Sequence, residues 1–359
     1  MNRVLIIERE FPLQSRNKRI LNSLENSGFN VQKCLWNRTK KKIQIDENSF
    51  VFHRFLKRSS ILNKAIGFFL FYKFIKNLLS TEQFNIVIIS HWTLIIFFPF
   101  FFKNKIKLIY EVLDIPSGFN KISFEVCRIF EKIALRNIDA VIIASRFYEK
   151  YYRGENVICL ENKPPISCFK KTNTYSVDKI KFAFIGALRY FPILKNLVIA
   201  VSKIPNIELT FYGSGNCDNE LITLVTERNI GNVKFEGAFK YENINEIYTK
   251  CNLVWASYPS KSINVKYAIS NKFHESIAYK VPCIYSKDTL LGEYVKNKNI
   301  GFTVDPYSVR SIVSLLTKIL DNKAELMNVH NNLLKIVDQV FWEDQEHLLI
   351  SSLSQLIEK

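Results

Sequence analysis

The sequence predicts an α/β chain of two doubly wound domains facing a central cleft, on three observations. Short apolar runs alternate with helical stretches twice along the chain, which is the order of parallel sheets covered by helices on both faces. A Pro-, Lys-, Ser- and Thr-rich segment of little periodicity, Lys163 to Lys179, separates the two alternations. The length of 359 residues exceeds one ordinary core and suits two.

In the first half, buried strands are expected at Val4 to Ile7, Val31 to Leu35, Ile86 to Ser90, Lys107 to Val112 and Ala140 to Ala144. The opening MNRVLIIEREF carries charge directly after a short apolar run, so it reads as a first strand and lacks the long apolar region of a secretion signal. The domains are expected at 1–165 and 179–340, with 166–178 as the linker and 341–359 as a helix returning to the first domain. In the second half, strands are expected at Phe182 to Ile185, Glu208 to Tyr212, Val233 to Phe235 and Leu253 to Ala256. The helices between them run through Val201, Glu227 and Lys250. The stretch NKFHESIAYKVPCIY then reads as a helix with apolar residues at Phe273, Ile277 and Ala278, broken by Pro282 before a strand from Cys283 to Tyr285.

Composition narrows the function classes. With 48% hydrophobic and 23% charged residues the chain is globular. Seven scattered cysteines, without CxxC spacing or paired histidines, read as reduced core residues and not as metal ligands or disulfides. The formal charge of +17 is uneven: residues 1–175 hold 29 Lys and Arg against 14 Asp and Glu, and the remainder 21 against 19. A basic half beside a neutral half points to an anionic membrane face or another polyanion. Nucleic acid is disfavoured, because the basic run RTKKK has no glycine-aromatic signature near it and no zinc spacing or basic heptad occurs. The Phe-rich stretches from Ala65 and Ile86 are interrupted by Lys73, Lys76, His91 and Pro99, so neither gives the roughly 20 apolar residues of a span. Peripheral contact through Phe-rich, Lys-flanked helices and ordinary packing of those faces both remain open.

Ligands in doubly wound sheets bind beyond the carboxyl ends of the strands, where glycine and charge collect in this chain. FIGALRYFPILK places Gly186 after a strand, with Arg189 and Lys195 six residues apart and able to converge on one anion. LTFYGSGN places Gly213 and Gly215 after the next strand, where the backbone can be approached closely. Glu275 is expected in the first turn of its helix, where a carboxylate either accepts from vicinal hydroxyls or caps the helix. Neither a GxxxxGK[ST] loop nor a GxGxxG opening the first unit occurs, which argues against an NTPase or a simple dehydrogenase.

Taken in order, these segments resemble the nucleotide-sugar domain of GT-B glycosyltransferases, most closely those like glycosyltransferase family 4 (glycosyl transferases group 1). The resemblance covers about 180–340 well and 1–150 in outline. FIGALRYFPILK resembles the family's diphosphate-binding segment, LTFYGSGN its glycine turn, and NKFHESIAYKVPCI its Asn-Lys, glutamate and Pro-bounded strand segment. LLGEYV, with Gly292 and Glu293, resembles a degenerate glycine loop, and the final segment from Phe341 the terminal helix that crosses back. The resemblance implies a GT-B fold of two Rossmann-like domains. It also implies donor-binding residues Gly186, Arg189, Lys195, Gly213, Gly215, Tyr258, Asn271, Lys272 and Glu275. Two departures stand out: Tyr267 replaces the first of two glutamates eight positions apart, and Lys280 stands where glycine is usual, at an expected exposed helix end.

Glycosyl transfer needs an activated acceptor hydroxyl and a stabilised leaving diphosphate, which cations and helix N-termini supply without metal. No DxD spacing demands a divalent ion, so no metal site and no cofactor are expected. Asp114, directly after a strand, is the leading base candidate and His91 the second; a turn-forming aspartate and a strand-end histidine are the alternatives. Arg16 and Arg19 follow the first strand on the acceptor side, where they would meet a pyrophosphate-linked lipid or acidic sugar, or face solvent. The expected activity is transfer of a sugar from a nucleotide sugar to a lipid-linked or other saccharide acceptor, in lipopolysaccharide or capsule biosynthesis. It is placed on the cytoplasmic side, peripheral to the inner face of the membrane. The competing readings are an epimerase or phosphorylase on the same fold, and a catalytically silent partner protein.

Overall fold

The computed structural model describes residues 2–40, 44–56, 61–96, 106–116, 121–170, 180–336 and 340–358. The chain forms two compact units, Met1–Glu161 with Gln345–Lys359, and Asn162–Asp344.

Unit 1 runs β1 (Arg3–Glu8), α1 (Ser15–Asn26), β2 (Asn30–Asn37), β3 (Ser49–His53), α2 (Ile61–Thr81), β4 (Ile86–Ser90), α3 (Trp92–Ile95), β5 (Lys107–Val112), α4 (Lys121–Leu135), β6 (Ala140–Ile143) and β7 (Val157–Cys159). Its seven strands pair in parallel in the order β3-β2-β1-β4-β5-β6-β7. The central strands are buried on both faces, which is why IVIIS and VLII are unbroken apolar runs with no alternation. Right-handed crossovers place α2, α3 and α4 on one sheet face and α1 on the other. Under the first of these faces Trp36 packs among Phe52, Phe68 and Phe71, with ring centroids 5.3–5.7 Å apart.

Unit 2 runs β8 (Ile180–Ile185), α5 (Phe191–Val201), β9 (Ile207–Tyr212), α6 (Asp218–Glu227), β10 (Val233–Gly237), α7 (Ile244–Thr249) and β11 (Leu253–Ala256). There follow α8 (Ile263–Tyr267), α9 (Asn271–Tyr279), β12 (Cys283–Ser286), α10 (Leu290–Lys298), β13 (Phe302–Val304), α11 (Val309–Asp321) and α12 (Lys323–Leu334). Its strands, also parallel, are ordered β10-β9-β8-β11-β12-β13. The last helix, α13 (Glu346–Glu358), belongs to unit 1. It packs on α1, where Ser23 Oγ donates to Glu346 Oε2 at 2.6 Å. Gln345 bonds both backbone groups of Glu161, accepting at 3.1 Å and donating at 2.6 Å.

Several sequence readings change. The short edge strands β3, β7 and β13 are not among the expected ones. LLGEYV is a helix start and not a glycine loop: Thr289 Oγ1 caps the Gly292 N–H at 3.0 Å. A Cβ at Gly292 would lie 2.3 Å from the Ser286 carbonyl oxygen, so close backbone approach is what requires glycine there. Lys280 is half-buried and not exposed, and its φ of 59° explains why glycine suits the position. Residues 171–178 of the expected linker and Pro99 lie outside the described residues. No helix among the described residues is long and apolar enough to cross a membrane.

Candidate functional site

In each sheet the strand order reverses once, between β1 and β4 in unit 1 and between β8 and β11 in unit 2. Ligands of open parallel sheets settle at the carboxyl ends of such strands, and the candidate residues collect at these two points.

In unit 2 the loops after β8 and β9 touch through their backbones. Gly213 has φ +136°, and a Cβ there would lie 1.9 Å from the Gly186 carbonyl oxygen. Gly186 N–H donates to Tyr212 O at 2.7 Å, and Gly213 N–H to Gly237 O at 2.7 Å. A Cβ on Gly186 would sit 3.2 Å from Lys272 Nζ, so the bare backbone there lets the ammonium lie against it. Gly215 N–H donates to Asp218 Oδ1 at 2.7 Å and fixes the start of α6.

Lys272 and Glu275 both project from α9. Ser270 caps this helix by accepting from the Lys272 N–H, so Glu275 lies in the second turn and not the first. The capping role is therefore filled by a serine. Lys272 is buried, donates from Nζ to Tyr258 OH at 3.0 Å, and lies over the Phe184 and Tyr258 rings. Burial works against its charge, but Tyr258 and Glu275 outweigh that and hold its pKa above the usual lysine value. Glu275 is also buried; its Oε1 accepts from Tyr241 OH at 3.1 Å and its Oε2 from Tyr248 OH at 2.9 Å. Tyr248 in turn stacks on Tyr279 at 4.5 Å. Two phenols thus fix the carboxylate, and each oxygen keeps a lone pair for a ligand hydroxyl.

Tyr258, after β11, is pinned to the end of β12: its N–H donates to Ser286 Oγ and Ser286 Oγ donates to its carbonyl, each at 2.6 Å. Tyr190 meets Tyr258 edge-on, with ring centroids 6.4 Å apart. Tyr190 begins α5 with φ 61° and makes no side-chain capping bond, and Pro192 follows in the first turn. Exposed Arg189 and half-buried Lys195 flank this helix start, and neither makes an ion pair or hydrogen bond among the described residues. Asn271 is exposed and accepts from Asn162 Nδ2 at 2.6 Å. Tyr267 ends the short α8 and is half-buried. The structure therefore brings Gly186, Gly213, Tyr258, Lys272 and Glu275 together. Sequence reasoning missed Tyr190, Tyr241, Tyr248 and Ser286, for which no spacing signal exists.

Unit 1 places different chemistry at its reversal point. Arg16, on α1, is buried, and its Nε donates to the equally buried Glu111 Oε1 at 2.7 Å. Ser90 Oγ donates to Glu111 Oε2, and Asn17 Nδ2 donates to Ser90 Oγ at 2.7 Å. Arg16 is thereby held against Glu111 at the carboxyl end of β5. Arg19, one turn on, is half-buried. Glu8, at the end of β1, accepts from Gln14 N–H at 3.1 Å and Asn17 Nδ2 at 3.3 Å. Burial pushes its pKa up to about 7.

His91 follows β4 with φ 84°. Its Nδ1 accepts from Thr93 N–H at 3.2 Å and lies 2.9 Å from Thr93 Oγ1. Burial, with Arg9 and Arg38 nearby, lowers its pKa to about 3. With Nδ1 accepting, the neutral ring carries its proton on Nε2, so His91 is a hydrogen-bond donor and a poor base near neutrality. Asp114 is exposed after β5, and its charge favours the protonated form of Arg9.

Residues 169–335 match the family described as Glycosyl transferases group 1. Solved structures of the same fold include sucrose-phosphate synthase from Thermosynechococcus elongatus, with TM-score 0.78 and 15% identity over 100% of both chains. HepE from Anabaena in complex with UDP follows, with TM-score 0.73 and 14% identity over 99% of this chain and 100% of the other. WaaG, a glycosyltransferase involved in lipopolysaccharide biosynthesis, aligns with TM-score 0.69 and 14% identity over 98% of this chain and 99% of the other. No curated protein sequence matches the chain. Both units share the two-Rossmann-domain GT-B fold of these structures.

Proposed function

We infer that this GT-B glycosyltransferase, whose residues 169–335 form a glycosyl transferases group 1 domain, binds its nucleotide-sugar donor on unit 2 through Glu275 and the cations around Gly186. The observation that carries the reading is the Glu275 carboxylate held by Tyr241 and Tyr248, one helical turn from the Lys272 ammonium that lies against Gly186. A carboxylate so fixed accepts from the vicinal hydroxyls of a ribose. Lys272, Arg189 and Lys195, with the positive end of the α5 dipole, form a positive surface for a diphosphate. As the bond to the sugar breaks, the same cations stabilise the charge gathering on the leaving diphosphate, which is the costliest demand of the reaction. The bound UDP of the HepE structure, whose fold this chain shares, supports a uridine nucleotide as the first to try.

On unit 1, Asp114 takes the acceptor proton and His91 holds a substrate oxygen through its Nε2–H. The acceptor is a lipid-linked saccharide of a surface polysaccharide, and the protein works at the inner face of the membrane. Two exposed apolar stripes on the α2–α4 face of unit 1 support this: Leu62, Ile66 and Phe69, and Ile122, Val126, Ile129, Phe130 and Ile133. Ile122 is 76% exposed, where a soluble surface helix would carry a polar side chain. The exposed charges on these helices and their flanks are Lys64, Lys73, Lys76, Lys132 and Arg136 against Glu125, a sign that fits anionic lipid.

Calorimetric titration with UDP, GDP, dTDP and CMP tests the reading. One nucleotide should bind selectively, and Glu275→Ala should weaken it about tenfold or more. Absence of binding by all four would leave the donor assignment without support.

A further inference from the structure

Arg9 and Arg38, beside His91, stand at the carboxyl ends of β1 and β2 with acidic neighbours but no hydrogen-bonded carboxylate. Arg9 is half-buried; among the described residues it pairs with no carboxylate within 4.0 Å, and its hydrogen bond is to the neutral Thr93 Oγ1 at 3.4 Å. Arg38 lies over the Trp36 and Phe68 rings at 4.6 and 5.8 Å. Its Nη1 makes a long ion pair with the exposed Glu10 Oε1 at 3.8 Å, beyond hydrogen-bond length, and its Nε and Nη2 are buried without a hydrogen-bond partner. The two cations feel each other: burial and then Arg9's charge lower the Arg38 pKa to about 10, and burial lowers that of Arg9. Three acidic groups face them. Glu10 and Asp114 are exposed, and Glu8 is drawn toward its neutral form.

Retaining two partly buried guanidiniums without bonded carboxylates costs stability, so a fold that keeps them gains elsewhere. The surrounding groups are also donors. Thr93 Oγ1 gives its hydrogen to His91 Nδ1, and His91 presents Nε2–H. Arg9, Arg38 and His91 each offer hydrogen-bond donors, at the ends of β1, β2 and β4, which are neighbours in the sheet. A carboxylate is satisfied by one bidentate arginine. Two guanidiniums with further donors fit the three terminal oxygens and higher charge of a phosphoryl group.

We propose that the loops after β1, β2 and β4 form a phosphoryl-binding site with Arg9 and Arg38 as its cations, and that the acceptor carries a phosphate or pyrophosphate group there. This rests on the transferase reading above for its role, but not for its chemistry. Arg16, expected on the acceptor side, is paired with Glu111, whereas Arg9 and Arg38 have no hydrogen-bonded carboxylate.

The test titrates glucose 6-phosphate and geranyl pyrophosphate into the full chain, with the donor position filled by the nucleoside diphosphate that it selects. Binding by the wild type, weakened about tenfold or more in both Arg9→Gln and Arg38→Gln, is the expected result. Preference for the first probe identifies a sugar phosphate, and for the second a lipid pyrophosphate. Both variants should still melt cooperatively and keep nucleoside diphosphate affinity, so that the lost binding is read on folded protein. Failure of both probes to bind, or equal binding by wild type and variants, overturns the site. Nucleoside diphosphate affinity, titrated separately, reports on unit 2, so intact nucleotide binding with no phosphate binding overturns this site alone.

Discussion

Glu8→Gln should remove a pH dependence from the stability of unit 1. Glu8 is 1% exposed, accepts two hydrogen bonds through Oε2, and has a buried Oε1 without a partner. Burial raises its pKa to about 7 against those two bonds, and Glu111 adds to the rise. The unfolded carboxyl titrates near 4.5, so the gap to about 7 corresponds to about 3 kcal/mol. The sign follows from proton binding. Below pH 4.5 the group is neutral in both states and the stability is fully present. As pH rises through the folded value the unfolded chain gives up its proton first, and stability falls until the loss saturates above pH 7. Glutamine cannot ionise, and its amide oxygen keeps an acceptor for Gln14 and Asn17. The variant should therefore gain about 3 kcal/mol on the wild type between pH 4.5 and 8. Urea unfolding across that range, with hydrogen exchange of the β1 amides to report on unit 1, measures it. Stability curves that stay parallel would refute the argument, since every other titrating group cancels in the difference.

Gly213→Ala sets a Cβ 1.9 Å from the Gly186 carbonyl oxygen at φ +136°, so it should destabilise unit 2 by about 2–4 kcal/mol in urea and abolish nucleotide binding; a wild-type midpoint would sink the loop-contact reading. Arg189→Ala and Lys195→Ala break no hydrogen bond or ion pair among the described residues, so the melting temperature should hold while nucleoside diphosphate affinity falls about tenfold each. Asp114→Asn should abolish transfer while the donor still binds, and unchanged turnover would move the base elsewhere. Ile129→Asp with Phe130→Asp, both on the exposed stripe of α4, should leave thermal stability unchanged and release the protein from anionic vesicles in co-sedimentation. Equal sedimentation of variant and wild type would place membrane contact on another surface.

The sequence was most legible where one local interaction decides the structure. Doubly buried strands such as IVIIS show as apolar runs because both faces of a parallel sheet are covered, and Pro282 marks the end of α9 because proline cannot continue a helix. It was least legible at β3, β7 and β13, strands of 5, 3 and 3 residues at sheet edges, where pairing with one neighbour needs little apolar pattern. The glycine turns, the Asn-Lys pair and Glu275 were visible as types in order, and the matched group 1 segment spans them.

By itself the sequence determined the class of fold, the order of its buried central strands with the helices between them, and the residue types gathered in the loops after those strands, because these follow from local pattern and spacing. Only the tertiary structure decided what those side chains do. It turned Arg16 onto Glu111, held Glu275 between Tyr241 and Tyr248, and left Arg9 and Arg38 without a hydrogen-bonded carboxylate. The physical reason is that the charge state and availability of a group depend on its neighbours in space, and those neighbours stand up to 95 residues away along the chain.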